Sequence, residues 1–379
     1  MPFYKSEGKV PKKRHTSMYN GKKIYYEELI SREGFSSIYS NAYHINRPTQ
    51  ISKVGILEPI NMKDVTKKYR ARHLQTSNIK SGNLKNRTNL LYNSDLTISV
   101  LKLDHSCSSF FKNGIEDELF YVQHGTGCLS TNFGDLNFKS GDYIIIPRGI
   151  IFKFNISESV KLLSIQSKYP LETPNKYKNK QGQLLEHSPY CERDIRLPKL
   201  NDPIDEKGDF LINIKTEKGY QSFHYATHPY DLIGWDGFYF PWILSIHDFE
   251  PIVGSIHQPP PVHQTFQSKS FVVCSFVPRP FDFHPDSIPA PYPHSNLDSD
   301  EVIYYSKGDF MSRKGINTES ITLHPMGIPH GPQPGKYQSS IGKKHTDELA
   351  VMIDTFKSLN VSDQSNELDD PSYPLSWTN

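Results

Sequence analysis

Histidine side chains that could bind a metal ion or move a proton are concentrated in one part of the sequence. Six of the 16 histidines and fourteen of the 28 prolines lie between residues 251 and 334. Neutral imidazole is a common metal ligand, and its pKa near neutrality also suits general-base catalysis. Proline fixes the backbone angle φ, so these side chains are expected to lie on stiff loops. Composition alone therefore predicts a loop-rich segment that could carry a metal site.

The segments that must position these histidines have the composition of β-strands. Short runs of β-branched and aromatic residues alternate with Gly, Pro, Asn and Asp, which is typical of β-sandwiches and barrels. Six such runs are Leu96–Leu103, Glu118–Gln123, Asp142–Pro147, Ser159–Gln166, Phe271–Val277 and Glu301–Ser306. Helical periodicity is scarce, and Tyr25–Arg32 is the one short segment predicted to be a helix. The sequence therefore predicts a mainly β fold.

Length and composition exclude several classes of protein. A chain of 379 residues is long enough for two domains, or for one large β domain with additions. Its 43 basic and 41 acidic residues give a formal charge of +2, so no basic field indicates a nucleic-acid partner. Four cysteines are too few for a disulfide scaffold, and no apolar run reaches the roughly 18 residues of a spanning helix. We therefore expect a cytoplasmic protein with no nucleic-acid or membrane partner.

The two halves of the sequence share a pattern. Glu118 and Glu301 each follow an aspartate, begin a strand-like run and precede a glycine by seven residues. A Pro-x-Gly block follows in both halves, beginning at Pro147 and at Pro325. Two blocks in the same order, separated by loops of different length, indicate a duplicated β unit.

This pattern resembles the two motifs of the cupin fold, a double-stranded β-helix or jelly roll. The cupin motifs are G-x5-H-x-H-x3,4-E-x6-G and G-x5-P-x-G-x2-H, and the C-terminal copy reads His294-x-Asn296-x4-Glu301-x6-Gly308 and Pro325-x-Gly327-x2-His330. The resemblance implies that His294, Glu301 and His330 bind a metal ion. Two imidazoles and one carboxylate suit Fe(II), with Mn(II) and Zn(II) as competitors.

In the N-terminal copy, phenylalanine stands at both histidine positions. Phe111 matches His294 and Phe152 matches His330, whereas Glu118 retains the carboxylate. Phenylalanine has no lone pair for a metal ion and fills an apolar interior instead. We therefore predict a two-domain, bicupin-like jelly roll in which the N-terminal cupin is degenerate and the C-terminal cupin binds the metal.

The domain bounds follow from these copies. The N-terminal β domain with the degenerate cupin is predicted over residues 1–225, and the C-terminal catalytic cupin domain over residues 226–361. Residues 362–379 have the composition of a polar tail.

The segments around the predicted ligands resemble homogentisate 1,2-dioxygenase. Residues 251–284, 289–313 (PAPYPHSNLDSDEVIYYSKGDFMSR) and 321–356 carry this resemblance most clearly, and earlier segments at 25–51, 186–198 and 230–252 extend it over nearly the whole chain. It is closest to the shorter bacterial-type members. The resemblance implies Fe(II)-dependent cleavage of the homogentisate ring by O2 to give maleylacetoacetate, a step in tyrosine and phenylalanine catabolism. It also implies a small aromatic acid and O2 as partners, and a homo-oligomer.

The same resemblance implies roles for residues outside the ligand set. His257 matches a histidine near the substrate hydroxyl, where it would act as the base. His324 matches an active-site histidine that either hydrogen-bonds the substrate or an oxygen species, or packs behind the ligands. Tyr292 matches a pocket tyrosine. Asn296 stands where many cupins have a third histidine, and it would contact the substrate or orient a ligand.

Two departures from the family pattern leave the substrate open. Ser295 replaces an arginine, and Phe310 replaces a tyrosine on the carboxylate side of the substrate, so two donors are lost. Candidate replacements are Arg279, Arg313 and Lys269. The alternatives are a dioxygenase for another para-dihydroxy aromatic acid such as gentisate, a non-catalytic bicupin that binds a small ligand, and a zinc or manganese cupin isomerase.

Overall fold

The computed structural model describes residues 3–378, and most of its regular structure is β-strand. Strands β1–β14 are Lys5–Gly8, Tyr19–Asn20, Lys23–Ile24, Tyr26–Glu33, Ser36–His44, Ile51–Glu58, Arg72–Gln75, Thr88–Tyr92, Leu96–Leu103, Phe110–Asn113, Asp117–His124, Gly127–Thr131, Gly134–Phe138 and Asp142–Ile146. Strands β15–β28 are Ile151–Ile156, Val160–Ser167, Lys207–Thr216, Gly219–Thr227, Leu232–Gly237, Trp242–Ser245, Gln264–Gln267, Phe271–Phe276, Arg279–Pro280, Asp300–Lys307, Ser320–His324, His345–Thr346, Leu349–Thr355 and Asn360–Val361. The mainly β fold predicted from the sequence is confirmed.

Helical structure is confined to short segments. Helix α1 is Lys336–Ser340, and the 3-10 helices are Asn175–Tyr177, Glu192–Asp194, Ile246–Asp248, Pro260–His263, Asp363–Ser365 and Tyr373–Leu375. Within residues 3–378, none of these helices has the length and apolar character needed to cross a membrane.

Four larger sheets form the body of the molecule. Their strand orders are β1-β19-β5-β4, β13-β12-β15-β10-β17-β18-β6, β20-β14-β11-β16-β9-β8-β28 and β21-β22-β27-β24-β25-β7. Strands β2 and β3, and strands β23 and β26, form two further pairs. The six-stranded sheet contains β24, which carries Glu301, and β25, which ends at His324.

The sheet that contains β11 is buried on both faces. Leu119 and Tyr121 point into one hydrophobic core, which also contains Val302 of β24. Phe120 and Val122 alternate with them and point into a second core, which also contains Phe111 and Phe152 of the N-terminal copy. Because both faces are covered, this strand is a continuous apolar run instead of an alternating one. The sheet that contains β11 therefore packs against β24, and so holds Glu301 in position against the N-terminal half.

Strand pairing crosses the predicted boundary at residue 225. Strands β19 and β20 follow this boundary in sequence, yet they pair with β5 and β14 of the N-terminal half. In the opposite direction, β7 pairs with β25 of the C-terminal sheet. The bounds 1–225 and 226–361 therefore do not coincide with the sheets, because each half contributes strands to sheets of the other.

The helix predicted over Tyr25–Arg32 is wrong. Strand β4, Tyr26–Glu33, occupies this segment and pairs antiparallel with β5 along most of its length. The turn between the two strands contains Gly34 with φ of 59°, a left-handed conformation that glycine adopts without strain. Helix propensity is a weak prior, and the cross-strand pairing with β5 overrides it.

Residues 362–378 do not extend into solvent as a polar tail. Ser362 and Ser365 are fully buried, and the Ser365 hydroxyl donates a 2.9 Å hydrogen bond to the Leu90 carbonyl. Tyr373 is 3% exposed. Polar side chains can be buried in this way when backbone carbonyls replace the water that they lose. The segment is thus a part of the packed structure.

The internal repeat is reproduced in matching contacts. Phe111 pairs with Phe152 across two strands, and His294 and His330 form the equivalent bridge. The amide of Gly149 donates to the Asn113 carbonyl at 2.7 Å, and the amide of Gly327 donates to the Asn296 carbonyl at the same distance. The two halves therefore build the same local structure from different side chains.

Candidate metal centre

The three residues predicted as metal ligands lie together at one end of the six-stranded sheet. Glu301 is the second residue of β24, whereas His294 and His330 lie on loops before β24 and after β25. Two backbone hydrogen bonds join these loops, from His294 N to His330 O (2.8 Å) and from His330 N to His294 O (2.9 Å). One ligand atom from each side chain lies within 4.8 Å of the other two. The fold thus collects two imidazoles and a carboxylate from separate segments.

Backbone carbonyls orient both imidazoles. Nδ1 of His294 lies 3.2 Å from the Tyr292 carbonyl oxygen, and Nδ1 of His330 lies 3.1 Å from that of Ile328. A carbonyl oxygen only accepts, so each Nδ1 carries a proton and each Nε2 is left to bind a metal ion. These Nε2 atoms lie 3.7 Å and 3.6 Å from the Glu301 carboxylate oxygens, and that of His330 is buried without a hydrogen-bond partner. The donor set fits a divalent metal ion.

Glu301 supplies the negative charge of this set. Burial opposes its ionisation, but the adjacent imidazoles of His294, His324 and His330 lower the pKa of Glu301 well below its usual range. The neighbouring Glu301 carboxylate in turn raises the pKa of His294. Glu301 is therefore a carboxylate at neutral pH, the form in which it can bind a metal ion.

His324 lies behind the ligand carboxylate and not in contact with the cavity that His294 and Glu301 line. It is fully buried, and Nδ1 donates to Glu301 Oε1 at 2.7 Å while the Tyr373 hydroxyl donates to Nε2 at 3.0 Å. Burial lowers the pKa of His324 to about 4, so the imidazole is neutral at pH 7. Of the roles expected for His324, orientation of Glu301 agrees with this position, whereas contact with a substrate or an oxygen species stays a prediction.

The C-terminal segment adds further contacts behind the candidate ligands. Tyr373 contacts His324 directly, and its ring packs against Trp377 with centroids 5.2 Å apart. The Trp377 indole donates to the carbonyl oxygen of Gly331, the residue after His330, at 3.0 Å. Residues that the sequence assigned to a tail thus hold two of the site histidines from behind.

A cavity opens beside His294 and Glu301. It combines apolar walls with a few polar groups, which is typical of sites for small ligands. The apolar side chains include Ile303, Phe310, Met311 and Met352, and the polar ones include His257, His263, Arg279 and Arg313. A ligand in this cavity would lie next to a metal ion held by the three predicted residues.

The remaining predicted site residues lie in or beside this cavity. His257 lines it, with Nδ1 3.9 Å from an Asp282 carboxylate oxygen. Tyr292 is 54% exposed and packs edge-on against the His257 ring at 5.1 Å. The Asn296 carbonyl accepts the hydrogen bond from Gly327, and neither Tyr292 nor Asn296 is part of the cavity wall. Contact of these two side chains with a substrate stays a prediction.

Comparison with known proteins identifies the family. The family model described as "Homogentisate 1,2-dioxygenase N-terminal" matches residues 81–246. A protein of Saccharolobus solfataricus named "Putative dioxygenase" is 43% identical over 385 residues, which cover 100% of this chain and 99% of that protein. This chain belongs to the homogentisate 1,2-dioxygenase family. The family resemblance read from the sequence is confirmed.

More distant members of the family carry the name of a specific reaction. Homogentisate 1,2-dioxygenase of Legionella pneumophila (strain Corby) is 27% identical over 286 residues, which cover 69% of this chain and 65% of that enzyme. Among solved structures, a "Cupin 2 conserved barrel domain protein" from Leptotrichia buccalis covers 82% of this chain at 11% identity and a TM-score of 0.33.

In this member of the homogentisate dioxygenase family, an arginine fills the degenerate copy of the metal site. The Arg87 guanidinium donates to both Glu118 carboxylate oxygens, at 2.6 Å and 3.0 Å. It also lies over the rings of Phe111 and Phe120, at 5.7 Å and 5.0 Å from their centroids. Arg87 and Glu118 are both buried. The internal cation therefore occupies the place that a metal ion would take in the C-terminal copy.

Sequence reasoning missed Arg87, although a signal for it was present. The N-terminal copy retains Glu118 while both histidine positions are phenylalanine. A buried carboxylate requires a cation or several hydrogen-bond donors, so loss of the metal ligands implies another positive group nearby. The sequence could not say which basic residue this was, because Arg87 lies outside both motifs.

Proposed function

We propose that this protein is an Fe(II)-dependent ring-cleaving dioxygenase that converts homogentisate and O2 to maleylacetoacetate, a reaction of tyrosine and phenylalanine breakdown. Both atoms of O2 enter the product, so no external reductant is consumed. The observation that carries the proposal is the arrangement of His294, Glu301 and His330 at the edge of a cavity. Membership of the homogentisate dioxygenase family supports the substrate.

The number of ligands agrees with this chemistry. Three protein ligands leave three positions for other groups, and Fe(II) at such a site would bind both the aromatic diol and O2 and allow electron transfer between them. The chain provides the geometry. His294 and His330 are fixed through their Nδ1 atoms, and His324 fixes Glu301. The apolar side of the cavity offers Ile303 and Met352 to an aromatic ring.

The first test is an oxygen-uptake assay on protein purified without oxygen and loaded with Fe(II) and ascorbate. We expect O2 consumption with homogentisate at one O2 per ring, and formation of a product that absorbs as the maleylacetoacetate enol. Uptake with gentisate but not with homogentisate would replace the proposed substrate with a related para-dihydroxy acid. Protein that binds iron but consumes no O2 with either acid would instead be a ligand-binding bicupin.

His257 is proposed as the base that removes a phenolic proton from the substrate as it binds. It is the cavity histidine outside the ligand set that the Asp282 carboxylate can orient, at 3.9 Å from Nδ1. Positioned proton transfer contributes about 10²–10⁴-fold to catalytic rates. We expect His257→Gln to lower kcat by about 100-fold or more at unchanged iron content.

The buried His263 is the matched control for this experiment. It also lines the cavity, but burial lowers its pKa to about 3, so it is a poor proton acceptor. His263→Gln is therefore expected to leave the pH dependence of kcat/KM unchanged, whereas His257→Gln removes one ionisation from that profile. An unaltered profile in His257→Gln would exclude His257 as the base.

A further inference from the structure

Two arginines line the cavity, and their electrostatic environments differ. The Arg279 guanidinium is paired with Glu348, with Nη2 3.3 Å from the carboxylate oxygen. Arg313 is 6% exposed and forms no ion pair with a carboxylate of residues 3–378. Arg279 is therefore paired with a carboxylate of the protein, whereas Arg313 is not.

The contacts of Arg313 fix its position and leave hydrogen-bonding capacity unused. Nη1 donates to the carbonyl oxygens of Gly331 (2.7 Å) and Ser312 (3.3 Å). The guanidinium lies 5.8 Å from the centre of the Trp377 ring, and Nε is buried with no partner in the described part of the chain. Arg313 is thus held rigidly by neutral groups at the wall of the cavity.

A buried guanidinium without an anion is unfavourable, because desolvation is not offset by an opposite charge. A carboxylate is the best complement to its planar fork, since two parallel N–H groups can donate to the two oxygens. No carboxylate of residues 3–378 pairs directly with Arg313, so this position is open to the acid group of a ligand in the cavity. Phe310, which lines the same wall, has no polar group that could take this part.

We propose that Arg313 binds the carboxylate of the substrate and makes the site specific for aromatic acids over neutral diols. This inference rests on the proposed function and assigns to one residue the recognition of the acid group. The metal ligands His294 and Glu301 line the same cavity, so one small molecule could contact the metal through its ring hydroxyls and Arg313 through its acid arm. Of the three basic residues that the sequence offered, Arg313 is therefore preferred over Arg279 and Lys269.

The test compares homogentisate with 2-(2,5-dihydroxyphenyl)ethanol, which keeps the ring and replaces the carboxylate by an alcohol. Binding is measured by calorimetry on anaerobic Fe(II)-loaded protein, so the readout does not depend on turnover. We expect Arg313→Met to weaken homogentisate binding by about 30- to 100-fold, the usual range for loss of a charge-assisted pair, and to change alcohol binding less than about threefold. Arg313→Lys should be intermediate for the acid.

Lys269→Met is the matched control, since it also removes one positive charge. The Lys269 amine lies over the Tyr169 ring, at 5.1 Å, and Lys269 is not part of the cavity wall. It should therefore leave both affinities unchanged. Iron content and the unfolding midpoint of each variant show whether it has folded. If Arg313→Met does not fold, the binding of the two ligands to Arg313→Lys tests the inference.

Equal weakening of both ligands in a folded Arg313 variant, or no weakening of the acid, would overturn the inference and leave the proposed function standing. If wild-type protein binds neither ligand and consumes no O2, the proposed function fails and this inference fails with it.

Discussion

Glu301→Gln protein is expected to retain less than about 1% of the wild-type metal after reconstitution with Fe(II) and desalting. Loss of an outer-layer partner already lowers metal affinity about 10- to 100-fold, and loss of a direct ligand has a larger effect. Glutamine keeps the shape of the side chain and can still accept the hydrogen bond from His324. The change therefore removes chiefly the charge that the metal ion requires. Iron is measured by ferrozine assay and oxygen uptake by electrode.

The control for this prediction is the equivalent change in the other half of the chain. Glu118→Gln alters the same type of residue in the copy where phenylalanines replace the histidines, so it should leave iron content and activity per folded molecule unchanged. Iron in Glu301→Gln at the wild-type level would refute the assignment of Glu301 as a ligand. Loss of iron in Glu118→Gln would show that the N-terminal copy contributes to metal binding.

Arg87→Met is expected to lower the free energy of unfolding by about 3–5 kcal/mol, the cost of leaving a buried charge without its partner. Glu118 is fully buried, and without Arg87 only the amide groups of Asn113 and Gln166, at 2.9 Å and 3.0 Å, would donate to its carboxylate. Because the C-terminal copy has its own ligands, iron content per folded molecule should not change. Urea denaturation followed by tryptophan fluorescence measures the effect.

The double variant Arg87→Met/Glu118→Leu separates the cost of an unpaired charge from the value of the pair. Replacing a buried ion pair with apolar residues of similar size is often neutral or stabilising. The phenylalanine rings of Phe111 and Phe120 already provide apolar contacts around Arg87. We expect the double variant to recover most of the lost stability. A loss below about 1 kcal/mol in Arg87→Met alone would contradict the view that Arg87 neutralises a desolvated carboxylate.

Spacing in the sequence was sufficient to bring together three candidate metal ligands, since two short motifs and their altered copy name His294, Glu301 and His330, whose ligand atoms lie within 4.8 Å of one another. Their binding of a metal ion stays a prediction. The contacts that support these residues from behind, such as that of Tyr373 with His324, could not be predicted from motif spacing. Tyr373 contacts His324 although it lies 49 residues further along the chain. Its polar neighbours made this segment resemble a solvent-exposed tail. A motif records residues that are close in sequence, whereas these partners are close only after folding.

Two further features of the fold also depend on residues that are distant in sequence. Tyr26–Glu33 has residues that suit a helix, but its pairing with β5 determines its structure. The predicted boundary at residue 225 assumes that each half uses its own strands, whereas β7 completes the C-terminal sheet. In both cases a sheet is assembled from distant segments, so local propensity carries little information about which strands pair.

The two copies of the site differ in where their cation originates. In the N-terminal copy the positive charge is synthesised with the polypeptide, because it belongs to Arg87. If the C-terminal copy binds a metal ion as proposed, its cation has to be acquired from the surroundings after translation. A chelator or a shortage of metal ions in the cell can therefore affect only one half of the molecule. Residues 3–378 contain one candidate metal site, so we expect at most one metal ion per chain, with the N-terminal half as a preformed support for the half that would bind it.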